Sequence, residues 1–101
     1  VWDETRFLEG EMGKYAVVAR RSGSDWYVSM LNAADKKQIS LPIDFLKNRK
    51  GYTATLYYQA SEEKKDVVDA KKIRLENRNE VIIDLVGNSG CVLHFSILNF
   101  Q

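Results

Sequence analysis

Apolar residues recur with a period of two along most of this chain, and that spacing constrains the fold more than any other feature. Such alternation sends successive side chains to opposite faces of an extended strand, whereas an amphipathic helix needs a repeat of roughly 3.6. In "KYAVVAR" Tyr15, Val17 and Ala19 oppose Ala16, Val18 and Arg20, and both sets are partly apolar, so a central strand covered on both sides is expected. "DWYVSML" puts Trp26, Val28 and Met30 on one face and Tyr27, Ser29 and Leu31 on the other. Between these runs Ser22-Gly23-Ser24-Asp25 supplies turn residues, which predicts a β-hairpin.

The same reading extends in both directions. In "ETRFLEG" Thr5, Phe7 and Glu9 share a face opposite Arg6 and Leu8. "KKQISL" reads as a short strand that ends at Pro42 or lies at a sheet edge, because proline donates nothing to a ladder. "PIDFLKNRKG" reads as a connector anchored by Ile43, Phe45 and Leu46. "YTATLYY" is a further strand, with Tyr52, Ala54, Leu56 and Tyr58 facing away from Thr53, Thr55 and Tyr57. The charged segment from Gln59 to Lys72, which contains Val67 and Val68, is read as an exposed loop rather than a helical turn, leading into "KIRLE". "EVIIDLV" and "CVLHFSI" form two last strands, expected as a hairpin joined by "GNSG" with two glycines for positive φ. About seven or eight short strands with frequent turn signals define an all-β, small antiparallel β-sandwich, one domain over residues 1–101.

Composition narrows the function. Fifteen Lys and Arg against fourteen Asp and Glu give a net charge of +1, without the clustered positive charge that nucleic acid or an anionic membrane needs. No apolar run approaches the roughly 20 residues of a spanning helix. With one cysteine, Cys91, no internal disulfide forms. Cys91 and His94 stand at C-x-x-H spacing, but on a strand they point to opposite faces and cannot grip one metal. His94, the sole histidine, sits mid-strand with no nucleophile elbow nearby and reads as a partly exposed strand residue.

Asp3-Glu4 and Glu9/Glu11 could form carboxylate pairs of the kind glycoside hydrolysis uses. A small sandwich offers no deep cleft to raise a carboxyl pKa, so these acids are expected on the solvated surface. Glu62 to Asp66 is a solvated run of mixed charge, and Arg20-Arg21 are expected to pair with Asp25 or with another domain. Trp26 shares its face with Val28 and Met30, which assigns it to a core rather than to a sugar-stacking platform. Trp2, ahead of the first strand, has little to bury against within one domain. No catalytic, cofactor-binding or metal-binding residue emerges.

A resemblance adds to this reading. "VWDETRFLEGEMGKYAVVARRSGSDWYVSMLN" is similar to the start of the C-terminal domain of glycoside hydrolase family 97, enzymes of Bacteroides-like bacteria acting on α-linked glucose or galactose. The matching residues are Trp2-Asp3-Glu4-Thr5-Arg6, Gly10, Gly13, Tyr15, Val18-Ala19-Arg20-Arg21, Gly23 and Trp26-Tyr27-Val28, followed by Leu41, Phe45-Leu46 and "GYTATLYYQ". The similarity weakens across the charged segment and returns in the final strands, where Gly87-Asn88-Ser89-Gly90 is a partial match.

The resemblance implies an N-terminal sandwich, a central (β/α)₈ barrel and a C-terminal sandwich, of which this chain is the last. It implies that the catalytic glutamates and calcium ligands lie in the first two domains, with no cofactor in this one. It further implies a periplasmic or extracellular location and the catalytic barrel of the same polypeptide as partner. Residues 1–4 become the interdomain junction, with Trp2, Asp3, Glu4, Arg6 and Tyr27 as candidate interface residues. Two rivals remain: a carbohydrate-binding module with weak sugar affinity, favoured by two or more exposed aromatics on one face, and a self-standing protein-interaction domain.

Overall fold

The computed structural model describes residues 2–11, 13–35, 37–46, 51–59, 68–73, 75, 79–85, 87 and 89–97. Eight strands account for the fold: β1 (Glu4–Glu11), β2 (Tyr15–Ser22), β3 (Asp25–Asn32), β4 (Lys37–Pro42), β5 (Tyr52–Gln59), β6 (Val68–Ile73), β7 (Glu80–Leu85) and β8 (Ser89–Ile97). They form two antiparallel sheets, one six-stranded in the order β1-β2-β3-β8-β5-β6 and one two-stranded, β4-β7. The expected all-β sandwich is therefore present.

The core lies between the sheets. From the large sheet come Val17, Val28, Met30, Leu93 and Phe95, all fully buried, and from the small one Ile39, Leu41, Val81, Ile83 and Leu85. Ile43, Phe45 and Leu46 close one end, as their apolar spacing predicted. Trp26 is 4% exposed and packs on Phe45, which in turn meets Phe95 edge-on. The opening hairpin forms as read: β2 and β3 pair from Tyr15↔Asn32 to Ser22↔Asp25, and Gly23 takes a φ of 64° in the two-residue loop. That left-handed conformation costs glycine little because it has no Cβ.

Four sequence expectations are corrected. First, β7 and β8 are not a hairpin: β7 pairs with β4 in the small sheet, while β8 inserts between β3 and β5 in the large one. Both strands are apolar enough to reach the core, and a short link between sheets looks locally like a link within one. Gly90 belongs to β8 instead of to a turn. Second, the segment read as a loop up to Lys72 holds β6 from Val68, paired with β5. Its charged residues Asp69, Lys71 and Lys72 are exposed, as suits an edge strand. Residues 60–67 lie outside the described residues.

Third, alternation in β1 breaks between Phe7 and Glu9, where a bulge shifts the register against β2. Phe7 lies opposite Val18 and Glu9 opposite Val17, so they face opposite ways, and Glu9 accepts a hydrogen bond from the Tyr15 hydroxyl. Fourth, β2 is covered on one side only. Val17 and Ala19 are buried under the small sheet, while Ala16 and Val18 stay half-buried on the other side. Two strands cannot cover both faces of six.

Candidate interaction face

The functional features gather on the outer face of the six-stranded sheet, the side away from β4 and β7. Pairing places Thr5, Arg20, Tyr27, His94 and Thr55 in one cross-strand row. A second row holds Phe7, Val18, Ser29, Val92 and Tyr57, and a third holds Gly10, Ala16, Leu31 and Gly90. Several large apolar side chains here are exposed: Phe7 by 68%, Leu31 by 65%, Trp2 by 45% and Tyr57 by 43%.

At one end of this face three rings are ordered against each other. Tyr27 stacks on the His94 imidazole at 4.4 Å with an interplanar angle of 5°, and Trp2 meets Tyr27 edge-on at 5.3 Å. The His94 Nε2 lies 3.1 Å from Asp25 Oδ2, which fixes the imidazole plane. Asp25 thus pairs with His94 and not with Arg20 or Arg21. Parity alone placed His94 opposite Cys91 on β8, and Cys91 is indeed buried in the core, where burial pushes its thiol up to about 12.

The segment before β1 is clasped onto the β2–β3 turn. Asp3 N donates to the Arg21 carbonyl at 2.8 Å, and Gly23 N donates to Asp3 Oδ2 at 2.7 Å. Arg21 Nε donates to Glu4 Oε1 at 3.2 Å, and its Nη1 donates to the Gly23 carbonyl at 2.8 Å. Glu4 also takes a hydrogen bond from Arg6 Nε. The Arg6 bond, reinforced by Arg21 and opposed by partial desolvation, holds the Glu4 carboxyl below its ordinary range. A glycosidase general acid needs the reverse shift. The Arg6 guanidinium lies 5.4 Å from the Trp26 ring centroid and lids the aromatic end of the core.

The five candidate interface residues therefore fall into two groups. Trp2 and Tyr27 stand on the outer face. Asp3, Glu4 and Arg6 belong to the clasp, their charges met within the chain. Among the described residues, no three His, Cys, Asp or Glu side chains are grouped to hold a metal ion. The Trp2–Tyr27–His94 stack was not foreseen, because the register that brings Tyr27 beside His94 joins residues far apart in sequence.

Among the described residues, the sandwich thus combines a salt-bridged entry clasp with one sheet face that keeps its aromatic side chains exposed or half-buried. Residues 1–96 match the model of the glycosyl-hydrolase 97 C-terminal, oligomerisation domain, and the chain belongs to that family. A retaining α-galactosidase of Bacteroides thetaiotaomicron is 44% identical over 57 residues, which are 56% of this chain and 8% of that protein. The crystal structure of a β-arabinopyranosidase superposes with a TM-score of 0.77 at 28% identity, covering 92% of this chain and 14% of that one. A family 97 enzyme of Pseudoalteromonas sp. strain K8, solved with acarbose, shares the fold with a TM-score of 0.74 at 22% identity, over 97% of this chain and 16% of that one. The chain thus spans a small fraction of the proteins it resembles, and it is the C-terminal, accessory domain of a family 97 glycoside hydrolase.

Proposed function

We propose that the chain is a non-catalytic domain that docks on the catalytic barrel of its own polypeptide through the Trp2 end of the outer face. In this reading the parent enzyme is periplasmic, depends on calcium bound by its other domains, and acts on α-linked galactose or glucose. The α-galactosidase relative supports the galactose side. One observation carries the docking: Trp2 is held against Tyr27 yet remains 45% exposed, beside a clasp that anchors the entering chain. A large aromatic fixed in place and half in water is suited to complete its burial against a neighbouring domain.

The carbohydrate-binding reading draws on the same exposed aromatics, since Trp2, Phe7 and Tyr57 share one face. Against it, Tyr27 has one ring face covered by His94 and meets Trp2 edge-on, so no flat platform is left there. Titration calorimetry with galactose and maltooligosaccharides is expected to show no affinity tighter than about millimolar. The docking is tested by Trp2→Ala: it should barely move the melting temperature of this chain but lower that of the full-length enzyme. A full-length enzyme that loses nothing contradicts the docking. Chromogenic α-galactosides and α-glucosides, with calcium present, should show no turnover by the chain alone; activity that co-purifies with it contradicts the non-catalytic reading.

A further inference from the structure

We infer that Asp25 and His94 make the docking at Trp2 sensitive to pH: the outer face closes on its neighbouring domain most tightly when the imidazole is charged. This inference rests on the docking proposed above.

Trp2 is held by a series of contacts that ends in a titratable pair. Trp2 meets Tyr27 at 5.3 Å, Tyr27 stacks on His94 at 4.4 Å, and His94 Nε2 stands 3.1 Å from Asp25 Oδ2. A carboxylate only accepts, so Nε2 carries a hydrogen whether the ring is neutral or charged. Protonation therefore adds charge to the ring without breaking its bond to Asp25. The added charge lies over the Tyr27 ring, parallel to within 5°, where cation–π attraction reinforces the stack.

The larger effect falls on Asp25. Its side chain is 36% exposed and that of His94 is 26% exposed, so both keep water that a docked domain displaces. With a neutral imidazole, covering this corner strips water from a carboxylate that no bonded cation balances among the described residues. With an imidazolium it covers a pair of zero net charge, which costs less than covering a lone charge. Imidazole is the side chain that ordinarily changes charge between about pH 5 and 8. Docking is therefore favoured in acid and weakens as pH rises through that range.

The other charged groups on this face leave Asp25 to His94. Arg20 of β2 lies opposite Tyr27, one strand further from His94. On β5 the residue opposite His94 is Thr55, with Tyr57 in the next row, and the exposed Lys72 of β6 lies beyond Thr55. In the entering segment Asp3 accepts from Gly23 N, and Arg21 pairs with Asp3 and Glu4.

Thermal unfolding of the full-length enzyme from about pH 5 to 8, for wild type and His94→Gln, tests the inference. Glutamine keeps an amide donor for Asp25 but never takes up charge, and comparing the two proteins at each pH cancels titrations elsewhere. The gap between their melting temperatures should widen by several degrees as pH falls. In an Asp25→Asn background it should no longer widen, because no carboxylate remains to be covered. In the isolated chain, where the pair stays in water, the gap should change little with pH. The inference is overturned if the full-length gap is the same at both ends of the range, if the isolated chain shows the widening equally, or if the widening survives Asp25→Asn. Trp2→Ala separates the two readings. If it leaves the full-length melting temperature unchanged, the docking fails and this inference with it. If it lowers that temperature while the His94→Gln gap stays constant, only the pH sensitivity fails.

Discussion

The two faces of the six-stranded sheet are built from the same strands, yet they solve different problems. On the inner face Val17, Val28, Met30, Leu93 and Phe95 are all at 0% exposure beneath the small sheet. On the outer face their sequence neighbours Val18, Tyr27, Ser29, Val92 and His94 are half-buried, and Phe7 and Leu31 stand largely in water. The difference follows from layer count, since two strands cover one side of six and nothing in the described chain covers the other. On that face Phe, Tyr, Trp and Leu stay exposed among the described residues, which is why the docking proposed above is placed there. The inner face holds the core that the fold depends on, and the outer face holds the exposed aromatic and apolar side chains.

The sharpest contrast is chemical. The Cys91 thiol lies in the core and is pushed from an ordinary value near 9 to about 12, so at pH 8 its thiolate is roughly a thousandfold scarcer. A thiol reagent should leave native Cys91 untouched until denaturant is added. In Leu31→Cys, the new thiol on the outer face should react at once. Equal rates at both positions would erase the distinction between the faces.

Next in size is packing. Trp26→Ala removes an aromatic that is 4% exposed and should destabilise the domain by about 3–5 kcal/mol, read from urea unfolding. That is a large share of the roughly 5–15 kcal/mol typical of a whole domain. An unchanged midpoint would mean the inner face tolerates a void as the outer face does.

A smaller effect is expected at Gly10. In Gly10→Ala the new Cβ would sit 2.7 Å from Phe7 Cζ and 2.9 Å from the Tyr15 carbonyl oxygen. The Phe7 ring is free to swing but the backbone is not, so a loss of about 1–3 kcal/mol should appear in thermal unfolding. Adding Phe7→Ala should return only part of it. Full recovery would show that the ring, and not the backbone approach, sets the requirement for glycine.

The least effect belongs to the clasp. Glu4 is half-buried, and its carboxyl is held low chiefly by the Arg6 hydrogen bond. Its contribution is therefore present above the ordinary carboxylate range and is lost as pH falls through the lowered folded value. Glu4→Gln should cost little at neutral pH, less still in high salt, and nothing in acid, as melting temperatures across pH will report. A deficit that persists in acid would point to packing of the Glu4 stem instead of its charge.

Much of this was legible in the residues themselves. The β2–β3 hairpin needed only alternation and a Ser-Gly-Ser-Asp turn, and the burial of Trp26 followed from sharing a face with Val28 and Met30. The family resemblance rested on the same stretch. The bulge after Phe7 was not legible, because one extra residue in a ladder leaves no mark on composition. Nor was the separation of β7 from β8, since a link between strands does not say whether they stay in one sheet. The strand at Val68–Ile73 was hidden by its charges, which are those of an exposed edge as much as of a loop.

Local chemistry thus determined strand character, the hairpin turn and which residues seek the core, because a side chain's face is set by parity along its own strand. Partnership across strands is set by register and sheet order, which depend on contacts between distant residues. Tertiary structure alone brought Tyr27 onto His94, turned Arg21 toward Asp3 and Glu4, and left Phe7 and Leu31 flanking Ala16 with no second layer above them among the described residues.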